Sequence, residues 1–286
     1  MIAVSLGLIA ALSWGLSDFL GGLQTRTVRL AVVLAVSMTS GLATIVAVLL
    51  VAHRQLPDDG RLWCAVAAGP ASVIALGLLY QAMARGPIIV VAPVAAVGAV
   101  IPVLWGMATG DGLGLAQAAG ILLALTGATL ASWEAGPAET DGSLPAAAAS
   151  AAVGAALAIG LFLVLVGRAS QVDALWAAGI MRGSAWVVAM VLLVTAGSRG
   201  VRDMTTLPRR TFGLLALVGV TDIVAETSYA LATTHVQVGV AAVIASMYPV
   251  VTVALAAVVL GERVHGRRGV GVVLALAGVA ALTGVV

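Results

Sequence analysis

The sequence predicts an all-α polytopic membrane protein with ten transmembrane helices in two inverted five-helix repeats. Of its 286 residues, 62% are hydrophobic and only 9% are charged, and the mean hydropathy is +1.15. Soluble domains are typically about 45–50% apolar, with about a quarter of their residues charged. Two further observations support this fold class. The apolar sequence divides into segments of membrane-spanning length, and its two halves are similar to each other.

Ten apolar segments are long enough to cross roughly 30 Å of hydrocarbon, which takes about 20 residues of helix. Divided at arginines, prolines and acidic clusters, they cover residues 3–22, 30–52, 62–84, 88–109, 113–133, 146–167, 174–197, 211–233, 236–260 and 267–286. The first is predicted to be a retained span and not a signal peptide, because it has no cationic start and carries Trp14 and Asp18 in its apolar core. An even number of spans places both termini on the same side of the membrane.

A polar break at residues 134–145, with three acids and two prolines, lies near the middle of the chain. It separates a first five-helix repeat, 1–133, from a second, 146–286. LLYQAMARG around Tyr80 parallels TSYALATTH around Tyr229, 149 residues later, and GDGL parallels GERV. Because each half has an odd number of spans, the second enters the membrane in the opposite sense to the first. Inverted repeats of this kind form a binding site near the midplane, between the halves.

The eighth predicted span carries a polar stripe. Asp222, Glu226 and Tyr229 are at positions i, i+4 and i+7, which share one face of a helix. An acid at the centre of a transmembrane helix costs roughly 2.5 to 3.5 kcal/mol, so two carboxyls must face protein, water or a ligand. The stripe is therefore a candidate binding or coupling site. The alternative is that the acids only hold neighbouring helices together by hydrogen bonds.

Two more ionisable residues lie within predicted spans. Arg182 in span seven cannot lose its proton, so it needs a carboxylate or a cage of carbonyls within reach. Asp18 follows Trp14 by four residues, and together they form an aromatic wall with one polar group, which suits an amphipathic or cationic solute. One arginine against three acids leaves at least one carboxyl without a full countercharge, and that carboxyl is a candidate proton carrier.

Four further residues are candidates to line the same cavity between the halves: Tyr80 and Gln81 in span three, Trp105 in span four and Tyr248 in span nine. Packing is the alternative for each of them, and Trp14 suits packing or an interfacial anchor equally well. Tyr248 precedes Pro249, which interrupts the hydrogen-bond ladder of its helix and creates a candidate joint. The alternative is that Pro249 only shapes the helix.

Enzyme and nucleic-acid-binding functions lack support in the sequence. The motifs HExxH, GxSxG and GxxxxGK[ST] are absent, and the three histidines fall at predicted span ends. The cations are all arginines, scattered among short connections, so no clustered basic surface is predicted. A single cysteine, Cys64, excludes an intrachain disulfide and a thiolate-rich metal site. We therefore predict no cofactor and no metal.

Four motifs point to a known family: SWG in the first span, the tyrosines of spans three and eight, YPVVT in span nine and the GER turn before span ten. With these motifs, the chain resembles the drug/metabolite transporter superfamily, and more narrowly its bacterial EamA-type members. The similarity covers essentially the whole chain and is most specific over residues 245–264. It implies a secondary active transporter in a bacterial cell membrane, an exporter of a small metabolite, amino acid or drug that works by alternating access. Glu226 and the GDG turn of the first half depart from the family pattern.

The expected partners are a small-molecule substrate, protons as the candidate coupling ion, and membrane lipid. The protein is expected to be a monomer or a homodimer. An uncoupled facilitator or a lipid-substrate flippase on the same fold is the alternative function, and in it the buried acids have only a structural role.

Two lines of argument disagree about the orientation of the chain. Ten arginines lie in connections on the side opposite the termini, and three lie on the side of the termini. The positive-inside rule therefore predicts that both termini are outside the cell. The family resemblance instead implies cytoplasmic termini, and the charge distribution narrowly favours the outside.

Overall fold

The computed structural model describes residues 1–110 and 145–262, with short helical pieces at 119–120, 122–123, 126–127, 130, 269–274 and 277–278. All secondary structure among these residues is helical. The α-helices are α1 (Ile2–Thr25), α2 (Leu30–Ala52), α3 (Trp63–Arg85), α4 (Ile88–Ala96), α5 (Val100–Ala108), α6 (Ala146–Ser170), α7 (Ala174–Thr195), α8 (Gly197–Thr205), α9 (Arg209–Ala232), α10 (Val238–Ala245) and α11 (Tyr248–Leu260). Single 3₁₀ turns cover Gly60–Leu62 and Val97–Ala99.

Eight segments of the described chain are long and apolar enough to cross a membrane. They are Ile2–Thr25, Leu30–Ala52, Gly60–Arg85, Ile88–Ala108, Ala146–Ser170, Ala174–Thr195, Arg209–Ala232 and Val238–Leu260. The predicted spans one to four and six to nine are confirmed, with ends that agree to within a few residues. Predicted spans five and ten lie largely outside the described residues, and so does the predicted connecting loop except for Pro145.

The side chains are distributed as expected of a protein in lipid. Large apolar residues such as Leu50, Val51 and Val258 are exposed on the outer faces of the helices. The ionisable residues that lie away from the span ends are instead buried between helices, because an unpaired charge is costly in hydrocarbon; they are Asp18, Arg182, Asp222 and Glu226. The chain is therefore a polytopic membrane protein.

Spans four and nine are each built from two helical segments. In span four, the 3₁₀ turn Val97–Ala99 separates α4 from α5. In span nine, Ser246 and Met247 separate α10 from α11, and Pro249 lies in the first turn of α11, where a missing N–H removes no helical hydrogen bond. The break predicted next to Tyr248 is present, with Tyr248 as the first residue of the new helix.

One helix was not predicted from the sequence. Residues Gly197–Thr205 form α8, a two-turn polar helix, whereas the hydropathy pattern predicts only a connection there. Arg29 and Asp203 join it to the start of α2 through an ion pair of 2.6 Å. Hydropathy detects spans and does not distinguish a short polar helix from a loop.

The main helix contacts join the two predicted halves. α1 packs along α9, and α3 packs along α6, while α2 contacts both α7 and α9. Glycines permit the closest of these approaches: a β-carbon at Gly69 would collide with Ser184 of α7, and one at Gly219 would collide with Ser37 of α2. Small residues at such crossings let helix backbones approach closely in lipid. The ionisable residues of the spans lie in the interior that these crossings enclose.

Candidate functional site

A buried cluster of one arginine and two carboxyls joins α7 to α9 in the second half and contacts Met38 of the first half. The Arg182 side chain on α7 is 0% exposed. Its Nη2 donates to Asp222 Oδ2 at 2.8 Å and to Glu226 Oε2, both on α9. Its Nη1 lies 2.8 Å from the Met38 sulfur on α2. Asp222 and Glu226 reach the same nitrogen because residues four apart share one face of a helix.

Gly41 on α2 leaves room for the Arg182 guanidinium. A β-carbon at this position would lie 3.2 Å from Arg182 Nε. Arg182 Nε has no hydrogen-bond partner among the described residues, so its interactions are directed to the acids and to Met38. The absence of a side chain at Gly41 thus helps to place the guanidinium next to Asp222 and Glu226.

Asp18 on α1 is the third buried acid, and it differs from the other two. Its side chain is 4% exposed. No hydrogen bond or ion pair joins its carboxyl to another residue in the described part of the chain, and the neighbouring Ser17 donates to the Val218 carbonyl at 3.2 Å. Arg182 therefore compensates Asp222 and Glu226 but makes no direct contact with Asp18.

The three carboxyls line one small cavity between the halves. Its volume is about 50 Å³, room for about one or two water molecules. α1, α3, α6 and α9 form its walls, together with the joint between α10 and α11. Its polar lining consists of Asp18, Ser72, Asp222, Glu226, Ser246 and Tyr248.

Aromatic rings surround the cavity on the side of Trp14. The Trp14 ring centroid lies 6.2 Å from that of Phe162, 5.8 Å from that of Tyr229 and 6.4 Å from that of Tyr248. The Phe162 and Tyr248 rings meet Trp14 edge-on, a favoured geometry for aromatic pairs. Trp14, Phe162 and Tyr248 line the cavity itself, whereas Tyr229 contacts the Trp14 ring without lining the cavity.

Two hydroxyls on the cavity wall have no partner. Ser72 Oγ and Tyr248 Oη are buried without a hydrogen bond to any described residue. By contrast, Ser246 donates to the Ala242 carbonyl, and Tyr229 donates to the Leu163 carbonyl at 2.9 Å. A buried polar group without a protein partner is unusual and points to a ligand or water.

The structure does not bring every predicted site residue to this cavity. Tyr80 is fully buried against Gly21 of α1, and Gln81 is half-buried; neither lines the cavity. Trp105 is 38% exposed near the terminal side, where the Arg168 guanidinium lies 5.5 Å from its ring. The structure places these three residues on other helix faces or at another depth, so they do not join the lining of this cavity. Tyr229 contacts Trp14 but is not part of the wall.

Ser72, Phe162 and Ser246 line the cavity and were not predicted from the sequence. A serine in a transmembrane helix commonly bonds to the carbonyl one turn before it, so its presence alone is a weak signal. Ser246 does so, whereas Ser72 does not. A lone phenylalanine in an apolar helix is equally uninformative.

The two ends of the bundle differ. On the side opposite the termini, the Glu262 carboxylate accepts from Arg26 at 3.0 Å and from the Ile89 N–H at 3.0 Å. This contact set, the Glu262 latch, ties the end of α11 to the end of α1 and the start of α4. On the terminal side, a cleft of about 570 Å³ opens between Trp105, Gln171 and residues 233–238.

Comparison with known proteins agrees with this architecture. The sequence profile of the EamA-like transporter family matches residues 1–133 and 146–284. The chain belongs to the EamA-like transporter family. The predicted resemblance is confirmed, and this family is part of the drug/metabolite transporter superfamily, whose members are transporters and not enzymes.

The EamA-like fold is also found in a solved structure. The crystal structure of another protein is similar to this one over 98% of both chains, with a TM-score of 0.72 and 20% sequence identity. At this identity, the likeness shows the fold alone. No curated protein sequence matches the chain. Among the described residues, no group of three metal-ligating side chains could hold a metal ion.

Proposed function

We propose that this EamA-like protein is a secondary active transporter, an exporter of a small organic molecule, that works by alternating access in a bacterial cell membrane. The observation that carries the proposal is the cavity between the halves that three buried carboxyls line. One of these carboxyls has no partner among the described residues. The two ends of the bundle also differ, since the Glu262 latch joins helices at one end and a wide cleft lies at the other. Ten spans in two inverted five-helix repeats form the proposed framework.

The helix contacts support an inverted repeat. The first span of each half packs along the third span of the other: α1 along α9, and α6 along α3. The two close glycine contacts show the same correspondence, because each joins the third span of one half to the second span of the other: Gly69 on α3 meets α7, and Gly219 on α9 meets α2. These glycines are 150 residues apart, close to the offset of the two tyrosine motifs. The family profile also matches two ranges whose limits follow the predicted halves.

The two kinds of buried acid suggest different roles. Asp222 and Glu226 share the fixed guanidinium of Arg182, which favours a constant arrangement of charge. Asp18 has no such partner and faces the cavity, so it is free to bind a proton or a substrate. A ligand drives alternation only if it binds the two states with different free energies. We assign this role to Asp18, with protons as the coupling ion.

One observation favours the alternative of an uncoupled facilitator or a flippase. Both acids of the polar stripe are bound to Arg182, as expected for acids that only join helices. Under this alternative, solute or lipid moves down its own gradient, and Asp18 exchanges no proton.

A solute-driven proton flux tests the proposal. The purified protein is reconstituted into liposomes that contain a pH-sensitive dye, and amino acids, nucleosides, sugars and cationic drugs are added in turn. We expect at least one class to change the internal pH, and Asp18→Asn to abolish the change. Asp203→Asn, the same substitution on the exposed α8, is the control and leaves it intact. Solute uptake at the same rate with and without an imposed pH gradient would support the facilitator. Movement of labelled lipid between the two leaflets would support the flippase.

A further inference from the structure

The charges around the cavity do not balance. Among the described residues, Asp18, Asp222 and Glu226 carry three carboxyls to this wall, and Arg182 is the only cation bound to any of them. The Arg182 hydrogen bonds go to Asp222, Glu226 and Met38. Asp18 is therefore a buried carboxyl that lacks a countercharge from the protein. Burial of an unpaired carboxylate is costly, and a bound cation removes that cost.

The same wall offers hydrogen-bond acceptors to such a cation. Ser72 Oγ and Tyr248 Oη are buried, line the cavity and have no partner among the described residues. A hydroxyl oxygen carries two lone pairs, and a carboxylate only accepts. With the Asp18 carboxylate, the wall thus presents three acceptor groups without a partner among the described residues, and a primary ammonium group has three N–H donors to share among them.

The aromatic part of the wall suits the body of such a ligand. Trp14, Phe162 and Tyr248 border the cavity, and Trp14 and Asp18 lie one helical turn apart on α1. An ammonium group within about 6 Å of an aromatic face is attracted by the ring electrons, most strongly by tryptophan. The rings also provide apolar surface for a carbon skeleton.

Among the residues that the structure describes, the cavity wall has no free cation for an anionic group. Arg182 is fully buried behind Asp222 and Glu226, with its Nη atoms already engaged. A carboxylate on the ligand would therefore meet three acids and no available guanidinium from the described residues. This disfavours anions, and it disfavours zwitterionic amino acids relative to the corresponding amines.

We propose that the cavity binds a protonated primary amine with an apolar body, with its ammonium group on Asp18, Ser72 and Tyr248 and its body against Trp14 and Phe162. The proposal rests on the proposed function, because a cavity of about 50 Å³ must widen to admit such a ligand, and alternating access supplies that movement. It narrows the substrate from any small organic molecule to an organic cation.

Three probes that share a 2-phenylethyl skeleton distinguish a cationic ligand from a neutral and a zwitterionic one. These are 2-phenylethylamine, 2-phenylethanol, which has a neutral head, and phenylalanine, which adds a carboxylate to the amine. Binding to the purified protein in detergent is measured by calorimetry near neutral pH. We expect the Kd of the amine to be at least about tenfold lower than the Kd of the alcohol or of phenylalanine. Equal binding of the amine and the alcohol, or no binding of the amine, would overturn the proposal.

Variants locate the binding. Asp18→Asn should weaken binding of the amine by about tenfold or more and leave the alcohol unchanged. Asp203→Asn should change neither. Ser72→Ala and Tyr248→Phe, which remove hydroxyls that have no protein partner, should each weaken amine binding several-fold. They keep the proposal testable where Asp18→Asn does not fold. Unchanged amine affinity in folded Asp18→Asn, or in both hydroxyl variants, would contradict the assignment.

The outcome is distinguishable from failure of the proposed function, because binding in detergent requires no transport. An amine that binds as predicted but is not moved by proteoliposomes would refute transport and leave this site in place. Transport of a neutral solute by a protein that does not bind the amine would refute the amine site and leave the proposed transport function in place.

Discussion

Arg182 is the residue whose surroundings most constrain the interior. Its guanidinium is fully buried, and both of its acidic partners come from adjacent turns of α9. The net contribution of a buried ion pair to stability is small, because desolvation offsets the attraction between the charges. Removal of one partner is different, since it leaves the remaining charges buried without compensation.

We therefore expect Arg182→Met to lower the free energy of unfolding in detergent micelles by about 3–5 kcal/mol. The triple variant that adds Asp222→Asn and Glu226→Gln should recover most of this loss, because neither of the two former partners of Arg182 is then left as an unpaired carboxylate. Arg29→Met is the matched control. Its ion pair with Asp203 is exposed, at 52% and 43%, and its loss should cost about 0–1 kcal/mol. Similar effects of the two arginine variants would show that the buried cluster is not a stabilising unit.

The need for such a cluster could be predicted from the sequence, but its composition could not. The cost of a charge in hydrocarbon requires that Arg182 meets a carboxylate and that the stripe faces inwards. The sequence does not say which acid remains unpaired, because that depends on which helices pack side by side. For the same reason, Tyr80 and Gln81 were predicted to line a cavity that they do not reach.

At the level of helices, length and hydropathy were sufficient to locate eight spans. Their interruptions were harder to predict. The break in span nine lies next to Pro249, and Pro93 and Pro102 flank the 3₁₀ turn in span four. Pro70, however, lies inside α3 without breaking it, so a proline does not by itself locate a break. The positions of close helix contact were also hidden, because this chain has 34 glycines and most glycine spacings arise by chance.

The structure separates the glycines that matter from those that do not. A β-carbon at Gly219 would collide with Ser37 and Ser40 of α2, whereas one at Gly213, on the same helix, would meet nothing within 4 Å. We expect Gly219→Ala to force α2 and α9 apart and to lower the unfolding temperature in detergent. Gly213→Ala should be neutral or stabilising, by up to about 1 kcal/mol, because alanine favours the helix. Equal tolerance of both substitutions would mean that the α2–α9 crossing is not tight.

Considered as a whole, the proposed ten-span topology distributes the arginines of the sequence unequally between the two sides of the membrane. The ten arginines in connections opposite the termini and the three on the terminal side predict external termini. A C-terminal fusion to alkaline phosphatase should therefore be active in cells, and a C-terminal fluorescent protein that folds only in the cytoplasm should be dark. A fusion after Thr206, on the opposite side, should show the reverse pattern and serves as the control. Fluorescence from the C-terminal fusion would instead support the orientation implied by the family.

Under the proposed alternating access, the Glu262 latch is expected to favour one of the two access states of the empty protein. Two inverted halves with identical side chains would make the two access states equivalent by a twofold rotation about an axis in the membrane plane, with equal free energies and equal populations. The halves are not identical, since Glu262 of the second half corresponds in sequence to the shorter Asp111 of the first. A partly exposed ion pair such as Arg26–Glu262 contributes about 1 kcal/mol at most, and that already favours one state roughly fivefold. If the protein works by the proposed alternating access, the unloaded carrier therefore has a preferred resting direction, and a difference as small as one methylene group contributes to that preference.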